Sequence, residues 1–241
     1  MSSGMYVSLS GQLALEKRLE SIANNVANMN SVGYRAEGVK FDSVISHAGG
    51  QEVAFAGGAE GYVSRRAGSM MPTGNPLDVA VQGDGWLAIE TPSGTAYTRD
   101  GRMHLSNAGE LLTVSGYRVL DRGGSPVLVD PSAGAVVIAD DGMIMQGDRQ
   151  LGGLGLFLIS DQAQLVRHDN AAVIPDIPPE PVVDLVGNGV RQGFVEGANV
   201  NPIQEMTRMI AVSRAFEAAA SAVREQEDTT QQAIRVLGPS S

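Results

Sequence analysis

Apolar residues recur with helical spacing near the start of the chain. An apolar side chain falls at every third or fourth position, which forms a heptad-like seam of Leu15, Leu19, Ile22, Val26 and Met29. Gly33 follows the seam and predicts a helix C-cap. The pattern therefore predicts an N-terminal helix within residues 1–34.

A second and longer helix is predicted at the other end, within residues 199–241. Residues 203–237 contain neither Gly nor Pro. Asn201 is a favourable N-cap, Pro202 suits the first helical position and Gln204 stands at the capping-box position. The apolar seam continues with the same 3,4 spacing through Met206, Met209, Ser213, Phe216, Ala220 and Val223, and recovers at Ile234 and Leu237 after two polar positions. Gly238 and Pro239 predict its end.

The middle of the chain alternates short β-favouring runs with Gly and Asp turns, which predicts an all-β sandwich or barrel. The predicted strands are 77–82, 86–91, 95–99, 102–106, 110–114, 117–120, 126–129, 135–139, 142–146, 154–160, 164–168 and 182–186. The proline-rich segment 175–181 is predicted to be a loop, because Pro cannot serve in a central strand. Residues 36–72 are predicted to hold one or two hairpins.

These patterns together predict a mainly β protein with terminal helices. The expected parts are an N-terminal helix (1–34), an extended connector (35–72), a β-rich domain (73–198) and a C-terminal helix (199–241). If both ends stay near the β domain, the helices run antiparallel and form a two-helix coiled coil. The alternative is that both helices fold back on the β domain, but heptad seams favour helix-on-helix packing. The second helix also carries small residues on several faces, which is typical of a crowded assembly.

Composition narrows the classes of function. Of the 30 glycines, 26 lie in residues 35–202, and the formal net charge of -10 lies mostly in the same region. An acidic chain argues against nucleic acid as a partner. The absence of Cys excludes a disulfide scaffold, and three His leave little material for a histidine metal cluster. Neither a membrane span nor a cleavable secretory signal is expected.

No pattern of catalytic residues stands out. Phosphate-loop, zinc-protease and serine-hydrolase motifs are missing from the sequence. Asp78, Asp84 and Asp100 leave open a carboxylate pair for acid–base catalysis. However, the Asp-Gly steps at 84–85 and 100–101 are first of all typical of turns. We expect no enzyme activity, no cofactor and no metal. The alternatives from other classes are a hydrolase that uses an Asp pair, and a β-rich extracellular adhesin or carbohydrate-binding module.

Three separate segments resemble the family of flagellar basal-body rod and hook proteins. The first is IANNVANMNSVGYR at 22–35, which is similar to the family's N-terminal signature. The second is TGNPLDVAVQGDGW at 73–86, followed by YTRDG at 97–101. The third is EGANVNP at 196–202, followed by MTRMI at 206–210 and RAFEA at 214–218. They occur in the family's order at both ends and the centre. Residues 6–12 and 34–37 look most like the proximal-rod subunits, with the distal-rod subunits as the alternative.

The resemblance implies a structural subunit of the bacterial flagellum. Such a subunit crosses the inner membrane through the flagellar type III export apparatus and assembles in the periplasm into a hollow helical rod, the drive shaft between motor and hook. The resemblance further implies that the terminal helices form the inner tube and the β domain an outer layer. The implied partners are copies of itself, other proximal- and distal-rod subunits, the export apparatus and the surrounding ring bushing.

The assembly interface is expected on the two helices, whose seams lack partners before docking and order when a neighbour covers them. Its predicted residues are Leu15, Leu19, Ile22, Asn24, Asn25, Val26, Asn28, Met29, Met206, Met209, Ile210, Phe216, Val223 and Ile234. Two interpretations of the Asn residues remain open. Their amides are solvated at a fraying helix end, or they bond to the backbone of a neighbouring subunit.

Overall fold

A computed structural model describes residues 2–46, 53–183 and 187–237. Its helices are α1 (Ser2–Ala27) and α2 (Pro202–Leu237). Its strands are β1 (Glu37–Ser46), β2 (Val53–Val63), β3 (Met70–Pro72), β4 (Val79–Gln82), β5 (Gly85–Thr91), β6 (Gly94–Thr98), β7 (Met103–Leu105), β8 (Leu111–Thr113), β9 (Arg118–Val119), β10 (Val136–Ile138), β11 (Met143–Gln146), β12 (Arg149–Gly153), β13 (Leu156–Leu158), β14 (Leu165–Arg167), β15 (Ala172–Pro175), β16 (Glu180–Pro181), β17 (Gly189–Gln192) and β18 (Phe194–Glu196). The mainly β fold with terminal helices confirms the predicted class.

The chain forms two compact units, each built from segments distant in sequence. The helical unit comprises Met1–Ala27, Glu37–Tyr62 and Asn201–Ser241. The β unit comprises Asn28–Ala36 and Val63–Val200. The β unit therefore includes a short piece of the N-terminal segment, which sequence periodicity assigns to the first helix.

In the helical unit, α1 packs along α2, and β1 pairs with β2. The last turn of α1 meets the first turns of α2, where Asn25 Nδ2 lies 3.4 Å from Glu205 Oε2. This places the two helices antiparallel, as expected from the sequence. Two of the three predicted N-terminal signals of α2 are present: Pro202 is its first residue, and Asn201 Oδ1 accepts a hydrogen bond from the Gln204 N–H at 3.2 Å. The predicted stop at Gly238 and Pro239 lies outside the described residues.

The C-terminal end of α1 differs from the prediction. The helix ends at Ala27, and the Ser31 N–H donates to the Asn28 carbonyl in a turn that follows it. Met29 therefore lies beyond the helix, and Gly33 is not its C-cap. Gly33 instead has a φ of 70°, and its N–H donates to the Glu196 carbonyl at 2.7 Å.

The β unit is a set of antiparallel sheets. Its largest sheet has the order β14-β15-β6-β5-β9-β8-β7, and β13 joins it by pairing with β5. A second sheet has the order β10-β11-β12. The last strands of the unit pair with its first strands, β17 with β4 and β18 with β3. The β unit is thus closed by contacts between its beginning and its end.

Most predicted strands are confirmed, and the errors have local causes. Strands β3, β12, β15, β17 and β18 were not predicted, because they are short or rich in Gly, Pro and polar residues. The predicted strand 126–129 forms only isolated bridges. The prediction for 182–186 is wrong for Val182 and Val183, which lie outside the strands, while 184–186 lie outside the described residues. The two residues of β16 fall at the end of the predicted loop 175–181.

The core of the β unit is aliphatic, with one tryptophan in an adjoining cluster. Val79, Leu87, Ile144 and Leu156 are almost fully buried in the main cluster. Trp86 belongs to a second cluster that also contains Tyr97. None of the helices in the described part of the chain is long and apolar enough to cross a membrane.

We expect Gly33→Ala to destabilise the β unit more than Gly116→Ala. Both glycines have a positive φ, which costs an L-residue about 1–2 kcal/mol. A Cβ at Gly33 would also lie 2.3 Å from the Asp100 backbone nitrogen, whereas a Cβ at Gly116 meets no atom within 4 Å. Urea unfolding of both variants measures the difference. Equal losses in the free energy of unfolding would show that residue 33 does not lie tightly against the Asp100 backbone.

Candidate assembly surface and the buried arginine cluster

The face of α2 that packs in the helical unit contains Glu205, Met209, Val212 and Phe216. Glu205 and Val212 are buried, and Met209 and Phe216 are half-buried. Among the side chains of α1 that the structure describes, from residue 8 onward, the buried apolar one is Ile22. The spacing of 4, 3 and 4 is heptad-like, but Glu205 and Val212 are buried where the predicted seam has Met206 and Ser213. Met206 and Ile210 lie outside the packed face.

A second apolar stripe on α2 is exposed. Ile203, Met206 and Ile210 expose 78%, 47% and 57% of their surface. At 3.6 residues per turn they fall within an arc of about 60°, roughly 120° away from the packed face. Leu9 and Leu13, one turn apart on α1, are exposed as well. Each helix therefore has one apolar face covered within the chain and one left uncovered.

The other predicted interface residues divide by location. Leu15, Leu19, Val26 and Val223 are half-buried on the helices, and Asn24 is exposed. Asn28 and Met29 are half-buried in the β unit, beyond the end of α1. The side chain of Ile234 lies outside the described part. The exposed residues Ile203, Leu9 and Leu13 are not among the predicted interface residues, although the 3,4 spacing of 203, 206 and 210 is visible in the sequence.

Asn25 is fully engaged inside the helical unit. Its Oδ1 accepts from the Glu37 N–H at 2.7 Å, and its Nδ2 donates to the Glu37 carbonyl at 2.8 Å. Glu205, which Asn25 also contacts, forms an ion pair with Arg208 at 2.5 Å. The amide thus pairs α1 with the first residue of β1. Bonding between subunits stays a prediction for the Asn residues, and Asn25 already has backbone partners within its own chain.

The most unusual feature of the β unit is a buried group of charged side chains around Trp86. Arg35 and Arg99 are each 1% exposed, and Glu196 is 2% exposed. Glu196 Oε1 lies 2.8 Å from Arg35 Nη2, and Glu196 Oε2 lies 3.2 Å from Arg99 Nη1. Both guanidinium groups stack near the indole ring, with Cζ 5.6 Å and 5.4 Å from its centroid. One carboxylate therefore serves two arginines, and we call these three charged residues the arginine cluster.

Backbone carbonyls also accept hydrogen bonds from both guanidinium groups of the arginine cluster. Arg99 donates to the Val81 carbonyl at 3.1 Å and to the Gly83 carbonyl at 2.6 Å. Arg35 donates to the carbonyls of Arg65 and Arg66. Nevertheless, the Nε atoms of Arg35 and Arg99 have no acceptor within the described ranges. Burial lowers the pKa of Arg99 to about 10, although Glu196 and Asp84 act in the opposite direction. For both arginines, desolvation by burial is the largest influence on the pKa, and it opposes the attraction of Glu196.

The Asn199 side chain forms hydrogen bonds with the segments next to the arginine cluster. Its Oδ1 accepts from the Ala36 N–H at 2.6 Å. Its Nδ2 donates to Ser64 Oγ at 3.1 Å and to the Arg66 carbonyl at 2.6 Å. One side chain thus joins three stretches of the β unit that are far apart in sequence.

We expect Asn25→Ala to destabilise the helical unit by about 1–3 kcal/mol, because it leaves the backbone N–H and carbonyl of Glu37 without their amide partner. Asn30→Ala, at an exposed position in the following turn, is the matched control and should have little effect. Amide hydrogen exchange at Glu37 and thermal unfolding by circular dichroism measure both. Unchanged exchange at Glu37 in Asn25→Ala would contradict the pairing.

Comparison with known families matches the three regions that carry these features. The flagella basal body rod protein model matches residues 5–35, and the flagellar hook protein FlgE/F/G D1 domain model matches residues 80–146. The model of the flagellar basal body rod FlgEFG protein C-terminal region matches residues 191–236. Arg35, Arg99 and Glu196 lie one in each of these matched regions. The arginine cluster is therefore the place where the three regions meet.

Curated relatives extend the similarity to the whole chain. The chain is 46% identical to the flagellar basal-body rod protein FlgF of Mesorhizobium japonicum and 44% identical to FlgF of Rhizobium meliloti, over 100% of each chain. It is 28% identical to the flagellar basal-body rod protein FlgG of Bacillus subtilis, over 98% of this chain and 99% of that one. The chain belongs to the family of flagellar basal-body rod proteins, in which it is a FlgF-like structural subunit of the rod in the flagellar basal body.

Proposed function

We propose that this subunit polymerises through its terminal helices into the proximal part of the rod, the hollow shaft that transmits torque from motor to hook. Its partners are copies of itself and other rod subunits. The higher identity to the two FlgF proteins than to the FlgG protein supports the proximal over the distal position. The role is structural and non-catalytic, in keeping with the family.

The exposed stripe of Ile203, Met206 and Ile210 is the observation that carries this proposal. A single partner helix covers only one face of α2, and α1 already occupies the face that contains Val212. The stripe therefore needs a second apolar partner. In a helical polymer each subunit meets copies of the same surface, and the exposed Leu9 and Leu13 of a neighbouring α1 offer apolar chemistry of the right kind.

The energetic gain from covering the stripe suits assembly. Full burial of an aliphatic or Met side chain contributes on the order of 1.5–3 kcal/mol. Association and the ordering of helix ends consume part of this gain. A single stripe contact is therefore weak between two free subunits, and it becomes effective when several neighbours bind the same subunit at once.

The proposal includes the route to the assembly site. The subunit passes through the flagellar type III export apparatus and joins the rod in the periplasm, where the surrounding ring bushing contacts the outside of the shaft. The family membership supports this route. The ordering of the helix ends on docking is part of the same proposal, with the exposed stripe as the surface that docking covers.

Replacing the stripe with glutamine should block assembly without unfolding the subunit. The triple variant Ile203→Gln, Met206→Gln, Ile210→Gln keeps good helix formers at solvent-exposed positions, so its melting temperature should stay close to that of the parent. Because the apolar contact is lost, motility of a complemented deletion strain and recovery of the subunit in isolated basal bodies should both fail.

The matched control removes three similarly exposed apolar side chains from the β unit, by Leu128→Gln, Val137→Gln and Val166→Gln. This control should remain motile. Motility of the helix variant at the parental level would overturn the proposal. Loss of motility in the control alone would place the main assembly contact on the β unit instead.

A further inference from the structure

The arginine cluster joins positions that are very far apart in the chain. Arg35 precedes the first strand of the β unit, Arg99 follows β6, and Glu196 is the last residue of β18. Glu196 also accepts a hydrogen bond from the Gly68 N–H at 2.7 Å, and its own carbonyl accepts from the Gly33 N–H. The contacts of Glu196 thus reach back to the start of the β unit.

Without the Glu196 carboxylate, the same interior would hold two arginines and, among the residues that the structure describes, no buried counter-ion for them. Arg35 and Arg99 stack near the same indole ring, and each is 1% exposed. Asp84 is the other carboxylate that attracts both arginines, but it is exposed to solvent. Removing one member of a buried ion pair is strongly destabilising, because the remaining charge stays desolvated and uncompensated.

We propose that Glu196 is a folding latch: the β unit cannot adopt its stable fold until Glu196 arrives between Arg35 and Arg99. The pairing of the sheets supports the same order of events. Strands β17 and β18, the last of the unit, complete β4 and β3, which are among its first. A chain that emerges with its N-terminus first therefore exposes nearly the whole β unit before Glu196, which neutralises its interior, is available.

The latch gives the subunit a useful property that goes beyond assembly. A partly delivered β unit stays unfolded because its two buried cations have no partner. This keeps the chain in an extended state while it is synthesised or threaded through a narrow channel. The latch rests on contacts inside the β unit and does not depend on the exposed stripe of α2, so each proposal can fail without the other.

The test uses Glu196→Gln in the full-length chain, a change that keeps the size of the side chain and removes its charge. Amide hydrogen exchange is followed across the β unit. We expect slow exchange to be lost in β5, β6 and β9 as well as in β18, with at least about a hundredfold rise in the unfolded fraction. Faster exchange confined to β3, β18 and residue 33 would show a merely local role and would overturn the latch.

A charge-restoring variant keeps the test decisive if Glu196→Gln does not fold. Adding Arg99→Met to Glu196→Gln removes one of the two uncompensated cations and retains apolar volume. Slow exchange in β5 and β6 should return in part in the double variant, because only Arg35 is then left without its buried counter-ion. If the double variant is as unfolded as Glu196→Gln alone, excess buried charge is not the cause and the proposal fails.

Glu110→Gln is the matched control for the chemistry of the substitution. Glu110 forms an ion pair with Arg118 at 2.9 Å, but the Arg118 side chain is 48% exposed. Because water can solvate Arg118 after the change, exchange in the β unit should stay at the parental level. An effect of Glu110→Gln as large as that of Glu196→Gln would overturn the claim that burial of the cations makes the latch.

Discussion

A helix with two apolar faces needs partners on both sides, and α2 has one within its own chain. The face that contains Val212 packs with α1, while Ile203, Met206 and Ile210 stay in contact with solvent. This imbalance makes the folded subunit incomplete by itself. In the function that we propose, polymerisation completes it by burying the second face among neighbours. The structural role in the rod itself rests on the family membership.

The arginine cluster shows how three short motifs become one structural feature. Each motif on its own supplies one member of the cluster at the end of a helix or a strand or in the segment that follows. The fold brings Arg35, Arg99 and Glu196 together around Trp86, where one carboxylate compensates two buried cations. A cluster of this kind adds little net stability, but it penalises any fold in which one motif is missing. On the latch proposal, the cluster specifies which ends of the β unit must meet.

Sequence periodicity predicted both helices, most strands and the N-cap at Asn201, because these depend on local spacing and local hydrogen bonds. It failed where contacts between residues far apart in the sequence determine the structure. The first helix ends at Ala27, and Gly33 serves the approach to Asp100, which no local pattern reveals. Met206 is part of the predicted seam but lies outside the packed face, since Glu205 occupies the packed position beside Asn25. The ion pairs of Glu196 span most of the chain and carry no periodic signal.

Side-chain oxidation of Met206 provides the most direct test of the account. Met206 on α2 and Met71 on β3 have similar exposure, 47% and 42%, and so should oxidise at similar rates in the free subunit. In isolated rods the account predicts that Met206 becomes strongly protected from hydroxyl-radical labelling, because a neighbouring subunit covers its stripe. Oxidation of Met206 in rods at the rate seen in the free subunit would contradict assembly through the second face of α2.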